Sequence, residues 1–387
     1  MTPVDIDEEV RIIKRVGFEP WLILKLVKAF KEARKGKLKT YDEHKFELKW
    51  AENLLRLERS IVEGYYEPGA SVAFVIFEPM VREIFAAPFI DRVVHHFLSE
   101  MQAGWWDRRL IYDSYSCRKG KGTLFGIKRA QTMMRQVSRN GERKAYVIQL
   151  DISGYFMSLP RNKLYERVRW GLDKQFEKYK DDTAAYRLYR TCDFLWQKVI
   201  FDDPVKKAWK RGLRENWNPD VLPLRKSLFA QPPGQGLVIG NFTSQLSSNI
   251  YLDKLDRFVK NELEYKYYGR YVDDFFIMVP EEEYERAKRD IVRIERYLKE
   301  ELLLTVHPTK RYLQPVSRGM HFLGARIYPH QIYLSDRLQA KFNRAAEEFC
   351  CGYKDLDSIT SYLGLLKHYD ANKFMRQLSQ RLGWDLK

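Results

Sequence analysis

The stretch Gly269–Val279, GRYVDDFFIMV, sets two adjacent aspartates, Asp273 and Asp274, between runs that favour strands. Glu264–Tyr268 (EYKYY) before it is polar and aromatic, and Phe275–Val279 after it is an unbroken apolar run that Pro280 ends. Two β-favouring runs around a two-residue acidic step predict a hairpin with both carboxylates at its tip. Adjacent anions sit badly inside a strand, because each needs water, a partner or a metal. Taken alone, the pattern fits an ordinary Asp-Asp turn. A second aspartate in the same setting tips the balance. Ala145–Asp151, AYVIQLD, reads as a strand with Tyr146, Ile148 and Leu150 on one face and Val147 and Gln149 on the other. It delivers Asp151 at its carboxyl end. Asp151 and Asp273 are too distant in the chain for a local partnership, so they meet only if both strands share a sheet.

With 387 residues and 45% hydrophobic content, the chain is long enough for two or three subdomains and has the composition of a globular protein. The formal net charge of +16 favours polyanionic partners, nucleic acid first and acidic membrane surfaces second. Aromatic residues make up 14%, a level that suits base stacking as well as core packing. Cys117, Cys192, Cys350 and Cys351 show no C-x-x-C spacing, so neither a zinc site nor a disulfide framework is expected. A reducing cytoplasmic setting follows. The N-terminal MTPVDIDEEVRIIKR lacks the apolar core of a signal peptide, and no apolar run reaches the roughly 20 residues of a membrane span.

Along the chain, Val10, Ile13, Trp21, Leu24, Val27 and Phe30 recur at helical intervals, with interruptions expected at Gly17 and Pro20. The basic run KEARKGKLK (31–39) reads as a solvated helix end or a nucleic-acid contact. Phe46, Leu48, Trp50, Leu54, Leu57 and Ile61 predict one further amphipathic helix ended by Gly64. YYEPGASVAFVI (65–76) is a Pro-Gly turn and a strand; Arg82 follows in an extended piece, and a helix begins after Pro88. Tyr112–Gly126 is a loop with lysines between glycines, which permits close approach of phosphate but is not a Walker loop. Residues 171–235 form an insertion, helical at first and then mixing Lys and Arg with Trp209 and Trp217 between prolines. That second part fits an RNA or partner contact, or a polar insertion anchored by two structural tryptophans. Small residues gather around Gly240, Thr243 and Ser244, where a ligand or strand can come near the backbone. Pro280-Glu281-Glu282-Glu283 reads as a helix opening with proline first, and Ser335 as the cap of another helix. Too few residues follow Gly324 for an RNase H or nuclease domain.

Two carboxylates from separate strands, in a basic and aromatic-rich chain, suit phosphoryl transfer assisted by two Mg²⁺ ions about 3.5–4 Å apart. From the residues alone, polymerase, nuclease and cyclase all remain open. A resemblance distinguishes them. Tyr271-Val272-Asp273-Asp274 resembles the YxDD box of reverse transcriptases, and Asp151-Ile152-Ser153-Gly154-Tyr155-Phe156 resembles their first catalytic strand. His307-Pro308-Thr309-Lys310 and Phe322-Leu323-Gly324 follow where the later motifs belong. YEPG (66–69), REIFAAPFIDRVVHH (82–96), SYSCRKGKGT (114–123) and IGNFTSQL (239–246) are most similar to the reverse transcriptases of diversity-generating retroelements, with antiphage-defence reverse transcriptases second.

The resemblance implies an α+β right-hand polymerase: a helical extension at 1–64, fingers and palm with an antiparallel sheet at 65–334, and a helical thumb at 335–387. It implies RNA-directed DNA synthesis with two Mg²⁺ ions, for which Mn²⁺ substitutes. Asp151, Asp273 and Asp274 would be the catalytic carboxylates, with the Ile152 carbonyl a further metal ligand. Phe156 would be the steric gate against ribonucleotides, and Arg82, Ile239, Gly240, Gln245 and Lys310 would line the nucleotide site. Arg118, Lys119, Lys121 and Tyr271 would touch nucleic acid. Where most of the family has Pro-Gln-Gly, this chain has Val238-Ile239-Gly240, a replacement that accompanies error-prone copying opposite adenine. An apolar side chain beside the nascent pair removes a hydrogen-bonding check on its geometry. The implied partners are a template RNA, the cDNA product, dNTPs and a small basic accessory protein, with no membrane. The other readings are a defence polymerase copying a dedicated non-coding RNA and a catalytically silent RNA-binding scaffold. Intact Asp151, Asp273 and Asp274 disfavour the scaffold.

Overall fold

The structure, a computed structural model, describes residues 4–35, 40–78, 80–353 and 356–382. It opens with helices α1 (Ile6–Val16), α2 (Phe18–Ala33), α3 (Tyr41–Leu48) and α4 (Trp50–Val62), then hairpin strands β1 (Val72–Ile76) and β2 (Arg82–Ala86). Helices α5 (Phe89–Arg109) and α6 (Thr123–Val137) lead to β3 (Ala145–Ile152), followed by α7 (Tyr155–Ser158), α8 (Arg161–Phe176) and α9 (Thr183–Phe201). After β4 (Trp209–Lys210) come α10 (Phe242–Arg257), β5 (Tyr267–Tyr271), β6 (Asp274–Pro280), α11 (Tyr284–Glu301) and β7 (Val306–Pro315). The chain closes with β8 (Met320–Phe322), β9 (Ala325–Ile327), β10 (Ile332–Leu334), α12 (Asp336–Cys350), α13 (Leu356–Leu366) and α14 (Asn372–Leu382). The class is α+β, as expected. Two compact units result, one of Met1–Ile111, Ile152–Asp256 and Tyr297–Thr305, the other of Tyr112–Asp151, Arg257–Arg296 and Val306–Lys387.

In the first unit, α1 starts on Asp5, whose side chain accepts from the Asp7 amide, and stops at Gly17 with φ of 91°. Pro20 does not interrupt the chain as expected. It sits in the first turn of α2, where its missing N–H is not needed. The expected Trp21 and Phe30 are buried on α2 together with Leu22, Leu26, Ala29 and Ala33, while Leu24 is exposed. The single helix expected over 46–61 is two, because the backbone breaks at Lys49 (φ −130°, ψ 35°) and leaves Leu48 and Trp50 exposed. Of the basic run at 31–39, residues 36–39 lie outside the described residues.

A three-stranded sheet, ordered β2-β1-β4, completes this unit. Its strands alternate. Ala73, Glu83 and Phe85 are buried on one face against Met157 and Leu228, while Val72, Phe74, Ile76 and Ile84 are only half-buried on the other. Buried Glu83 accepts from Ser227 Oγ at 2.8 Å and from the Leu228 amide at 2.6 Å, fastening the second part of the insertion to β2. Trp217 is an anchor of that part, its ring 5.7 Å from Phe229. Trp209 is not. Its backbone is paired, but its side chain is 73% exposed.

The second unit is organised on a four-stranded sheet ordered β5-β6-β3-β7. β6 runs antiparallel to both neighbours, from Ala145↔Pro280 to Asp151↔Asp274 on one side and from Tyr267↔Met278 to Tyr271↔Asp274 on the other. Phe275 to Val279 are all buried, so this central strand is covered on both faces and needs no polar alternation. Each such side chain contributes about 1.5–3 kcal/mol. One face packs with Ile127, Met134, Phe322 and Ile327 from α6, β8 and β9. Gly269 must be glycine, since a Cβ there would lie 2.4 Å from the Tyr115 hydroxyl. Pro280 differs from its expected role as the first helical residue. It ends β6, and a short 3-10 turn over Glu281–Glu283 precedes α11. Ser335 does cap α12, accepting from the Leu338 amide, and α12 to α14 share a separate core around Phe342 and Phe374. Among the described residues no helix is long and apolar enough to cross a membrane.

Candidate active site

The last rung of the β3–β6 ladder sets Asp151 directly opposite Asp274. Partners so placed hold their Cβ atoms about 4.5–5.5 Å apart on one face of the sheet. Asp273 sits beside them in the turn between β5 and β6, so one carboxylate is at the tip and the other opens the strand. Val272 shares that turn with φ of 57°, the left-handed region that β-branched residues avoid. Such a conformation costs on the order of 1–3 kcal/mol and persists only where the surroundings impose it. Replacing Val272 by glycine is therefore expected to leave chemical-denaturation stability unchanged or raised by about 1 kcal/mol, strain relief outweighing glycine's added chain entropy.

Arg270 imposes the turn. Its side chain is fully buried, Nη1 donates to the Val272 carbonyl at 3.0 Å, and Nη2 donates to Ser114 Oγ at 3.3 Å. Its own amide donates to the Asp113 carbonyl and its carbonyl accepts from the Tyr115 amide, both at 2.9 Å. Asp113 is gripped by Arg129 through two bonds of 2.8 and 3.0 Å. The loop after Tyr112 is thus a brace for the acidic turn.

Lys310 reaches from β7 to donate to Asp151 Oδ2 at 2.7 Å. Burial works to lower the Lys310 pKa, but the bond to Asp151 and the charges of Asp151, Asp273 and Asp274 overcome it and raise the value. Asp274 is half-buried as a residue while its carboxyl is more enclosed. Burial first, then the charges of Asp151 and Asp273, push its carboxyl well above the ordinary carboxylate range, with Lys310 opposing. The three acids are close enough to repel one another. Among the described residues no three acidic, histidine or cysteine side chains are drawn together as a cage for one ion. Mg²⁺ does not ask for one. It takes one or two carboxylates and keeps waters and substrate phosphates for its other positions. Carboxylates in mutual repulsion, with no zinc-type ligands beside them, fit that cation in kind.

The other expected site residues in this unit surround the brace. Tyr271 is half-buried, pairs opposite Asp274 and packs on the core. Arg118 Nη1 donates to the Ser114 carbonyl at 3.0 Å, Lys119 is exposed, and Lys121 bonds the Tyr112 carbonyl while lying 4.5 Å from that tyrosine's ring. The first unit gathers a different set. Residues 236–240 run beside α7 and β2: the Leu237 amide donates to the Phe156 carbonyl at 2.6 Å, and the Phe85 amide to the Ile239 carbonyl at 2.9 Å. Arg82 opens β2 and is exposed, Ile239 is half-buried, and Gln245 is exposed on α10. Ile152 ends β3, buried. The small residue at 240 lets a strand approach: a Cβ on Gly240 would lie 2.5 Å from the Phe85 carbonyl oxygen, and its φ is 129°. Changing Gly240 to alanine should cost about 2–3 kcal/mol in chemical denaturation, because the obstacle is backbone and cannot swing aside.

No family model and no curated protein sequence matches the chain. Among solved structures it is similar to telomerase from Candida tropicalis in complex with a TWJ fragment of telomeric RNA. The TM-score is 0.48 at 13% identity. The match covers 86% of this chain, which spans 58% of that one.

Arg270 is the residue that sequence reasoning passed over. It stands inside the quoted stretch, and the signal was there: a lone cation between Gly269 and Tyr271, paired opposite Phe275 in a strand that is apolar after Asp274. A guanidinium in that setting must find carbonyls or hydroxyls, and the nearest lie in the turn itself.

Proposed function

We propose that this chain is an RNA-directed DNA polymerase, with Asp151, Asp273 and Asp274 as its catalytic carboxylates. The observation that carries the reading is the rung Asp151↔Asp274 with Asp273 in the adjoining turn: an adjacent pair of acids and a third far upstream in the sequence, set at one end of one sheet. Bound Mg²⁺ would supply activation of a 3′-hydroxyl and charge neutralisation on the phosphates. Asp151 and Asp273 would hold the ions, with Asp274 and the Ile152 carbonyl assisting. Lys310, kept protonated by its acidic neighbours, is a proton donor suited to a leaving pyrophosphate. By the resemblance, Arg82 would meet the triphosphate, Phe156 would crowd a ribose 2′-hydroxyl, and Ile239, Gly240 and Gln245 would border the nascent pair. The corresponding subdomains are a helical extension (1–64), fingers and palm (65–334) and thumb (335–387).

The finer reading is the error-prone polymerase of a diversity-generating retroelement, supported by the motifs at 66–69, 82–96, 114–123 and 239–246 and by apolar Ile239 in place of glutamine. Purified protein given a primed RNA template and single dNTPs in Mg²⁺ is expected to extend the primer and to misincorporate chiefly opposite adenine. Homopolymer or repeat output would instead favour the defence reading. Absence of dNTP turnover in both Mg²⁺ and Mn²⁺ would overturn the enzyme assignment.

A further inference from the structure

The second part of the insertion, residues 202–230, remains without a task, yet it is firmly built. Glu83 and the cluster of Ala73, Phe85, Met157 and Leu228 hold it. β4 is joined to β1 in parallel, Val72↔Trp209 and Ala73↔Lys210, through the Trp209 amide to the Ser71 carbonyl (2.9 Å) and the Arg211 amide to the Ala73 carbonyl (2.8 Å). Those bonds fix where the side chains go. Lys210 turns to the packed face, 4.8 Å from the Trp217 ring and 4.0 Å from that of Phe229. Trp209 and Arg211 stand on the opposite, half-open face with Val72, Phe74 and exposed Arg82, and the Arg211 guanidinium lies 4.8 Å over the Phe74 ring.

Trp209 is 73% exposed although its backbone is paired into the sheet. It is a rigid π-face, and a cation one pleat away lies on the same side. Along the segment Arg211, Arg214 and Arg225 are exposed, as are Glu215 and Asp220, while Asp202 and Asp203 are engaged by Lys207 and Lys206. The cation nearest Trp209 on its own face is Arg211, two residues on. Aromatic faces beside cations that track a backbone are the arrangement by which proteins hold single-stranded nucleic acid.

The geometry points to β4 as a single-stranded RNA subsite, with Trp209 stacking on one base and Arg211 meeting the adjacent phosphate. This rests on the reading of the chain as an RNA-copying enzyme and names where it would grip unpaired template. The test is binding of a short fluorescein-labelled oligouridylate to the full chain, followed by anisotropy without divalent ions or dNTPs, so that a failure of catalysis leaves the result readable. Trp209→Ala should weaken binding about tenfold, while Trp209→Phe, which keeps a π-face, stays within about threefold of the parent. Arg211→Ala should make the slope of log affinity against log salt shallower by about 0.7, the share of one phosphate on a single strand. Melting temperatures should be unchanged for Trp209→Ala, whose side chain is exposed. Parental affinity in Trp209→Ala overturns the proposal, including the case where that variant instead loses a co-purifying protein. Equal losses in Trp209→Ala and Trp209→Phe overturn it too, because stacking would then not be the contact.

Discussion

Asp273→Asn is expected to reduce Mg²⁺-dependent dNTP incorporation by at least about three orders of magnitude, while the metal-free protein melts no lower than the parent. The kinetic loss follows from removing one hard anionic ligand beside developing charge, on the order of 4 kcal/mol in the barrier. The stability claim follows from repulsion. Asp274's carboxyl lies well above the ordinary range because of its burial, then Asp151, then Asp273. A folded-state pKa above the unfolded one means that carrying the charge at neutral pH costs stability, a cost absent below the unfolded value and growing as pH rises through it. Asparagine at 273 removes one of the two neighbouring charges, and its side chain suits a turn. Single-turnover extension and a thermal melt, both on the purified variant, check the two halves. Retained incorporation would remove Asp273 from the site. A lower melting temperature with lost activity would instead mark it as a folding residue.

Much of the central sheet was legible because its signals are local. Phe275–Val279 announces a doubly covered strand, and the strand ending at Asp151 does share its sheet; that Asp274 and not Asp273 lies opposite Asp151 is a register the sequence does not encode. Boundaries that depend on backbone geometry were not legible. Leu48 and Trp50 continue a helical period, but the break at Lys49 is a backbone event that periodicity does not encode. Proline at a first helical turn and at a strand end look alike when acids follow, so Pro280 reads as a helix opening in the sequence yet ends β6. Trp209 and Trp217 have similar neighbours, yet one is packed and the other exposed, since the parallel pairing with β1 is a long-range choice. The tie between Arg270 and the loop at 112–115 is hidden for the same reason: its partners lie far upstream.

Arg270→Met carries the second large effect, and it separates what the turn is from what it holds. Methionine keeps most of the length and apolar volume of the arginine stem but donates nothing. Ser114 Oγ loses a donor where water is excluded, since Ser114 and Arg270 are both fully buried, and the Val272 carbonyl loses one in a part-buried turn. Two such losses cost about 3 kcal/mol together, or roughly 6–12 °C in the melt of a body this size. The catalytic loss should exceed what that destabilisation explains when activity is measured well below the melt. Val272 holds φ of 57° only under constraint, and once the guanidinium is gone the turn relaxes and carries Asp273 with it. A displacement near 1 Å at a reacting group is worth about a hundredfold. Arg270→Met combined with Val272→Gly makes the decisive comparison. Glycine occupies the left-handed region without strain, so the double variant should regain part of the incorporation rate without regaining the two hydrogen bonds. If activity in the double variant stays as low as in Arg270→Met, the arginine acts through the fold at large and not through the geometry of the acidic turn.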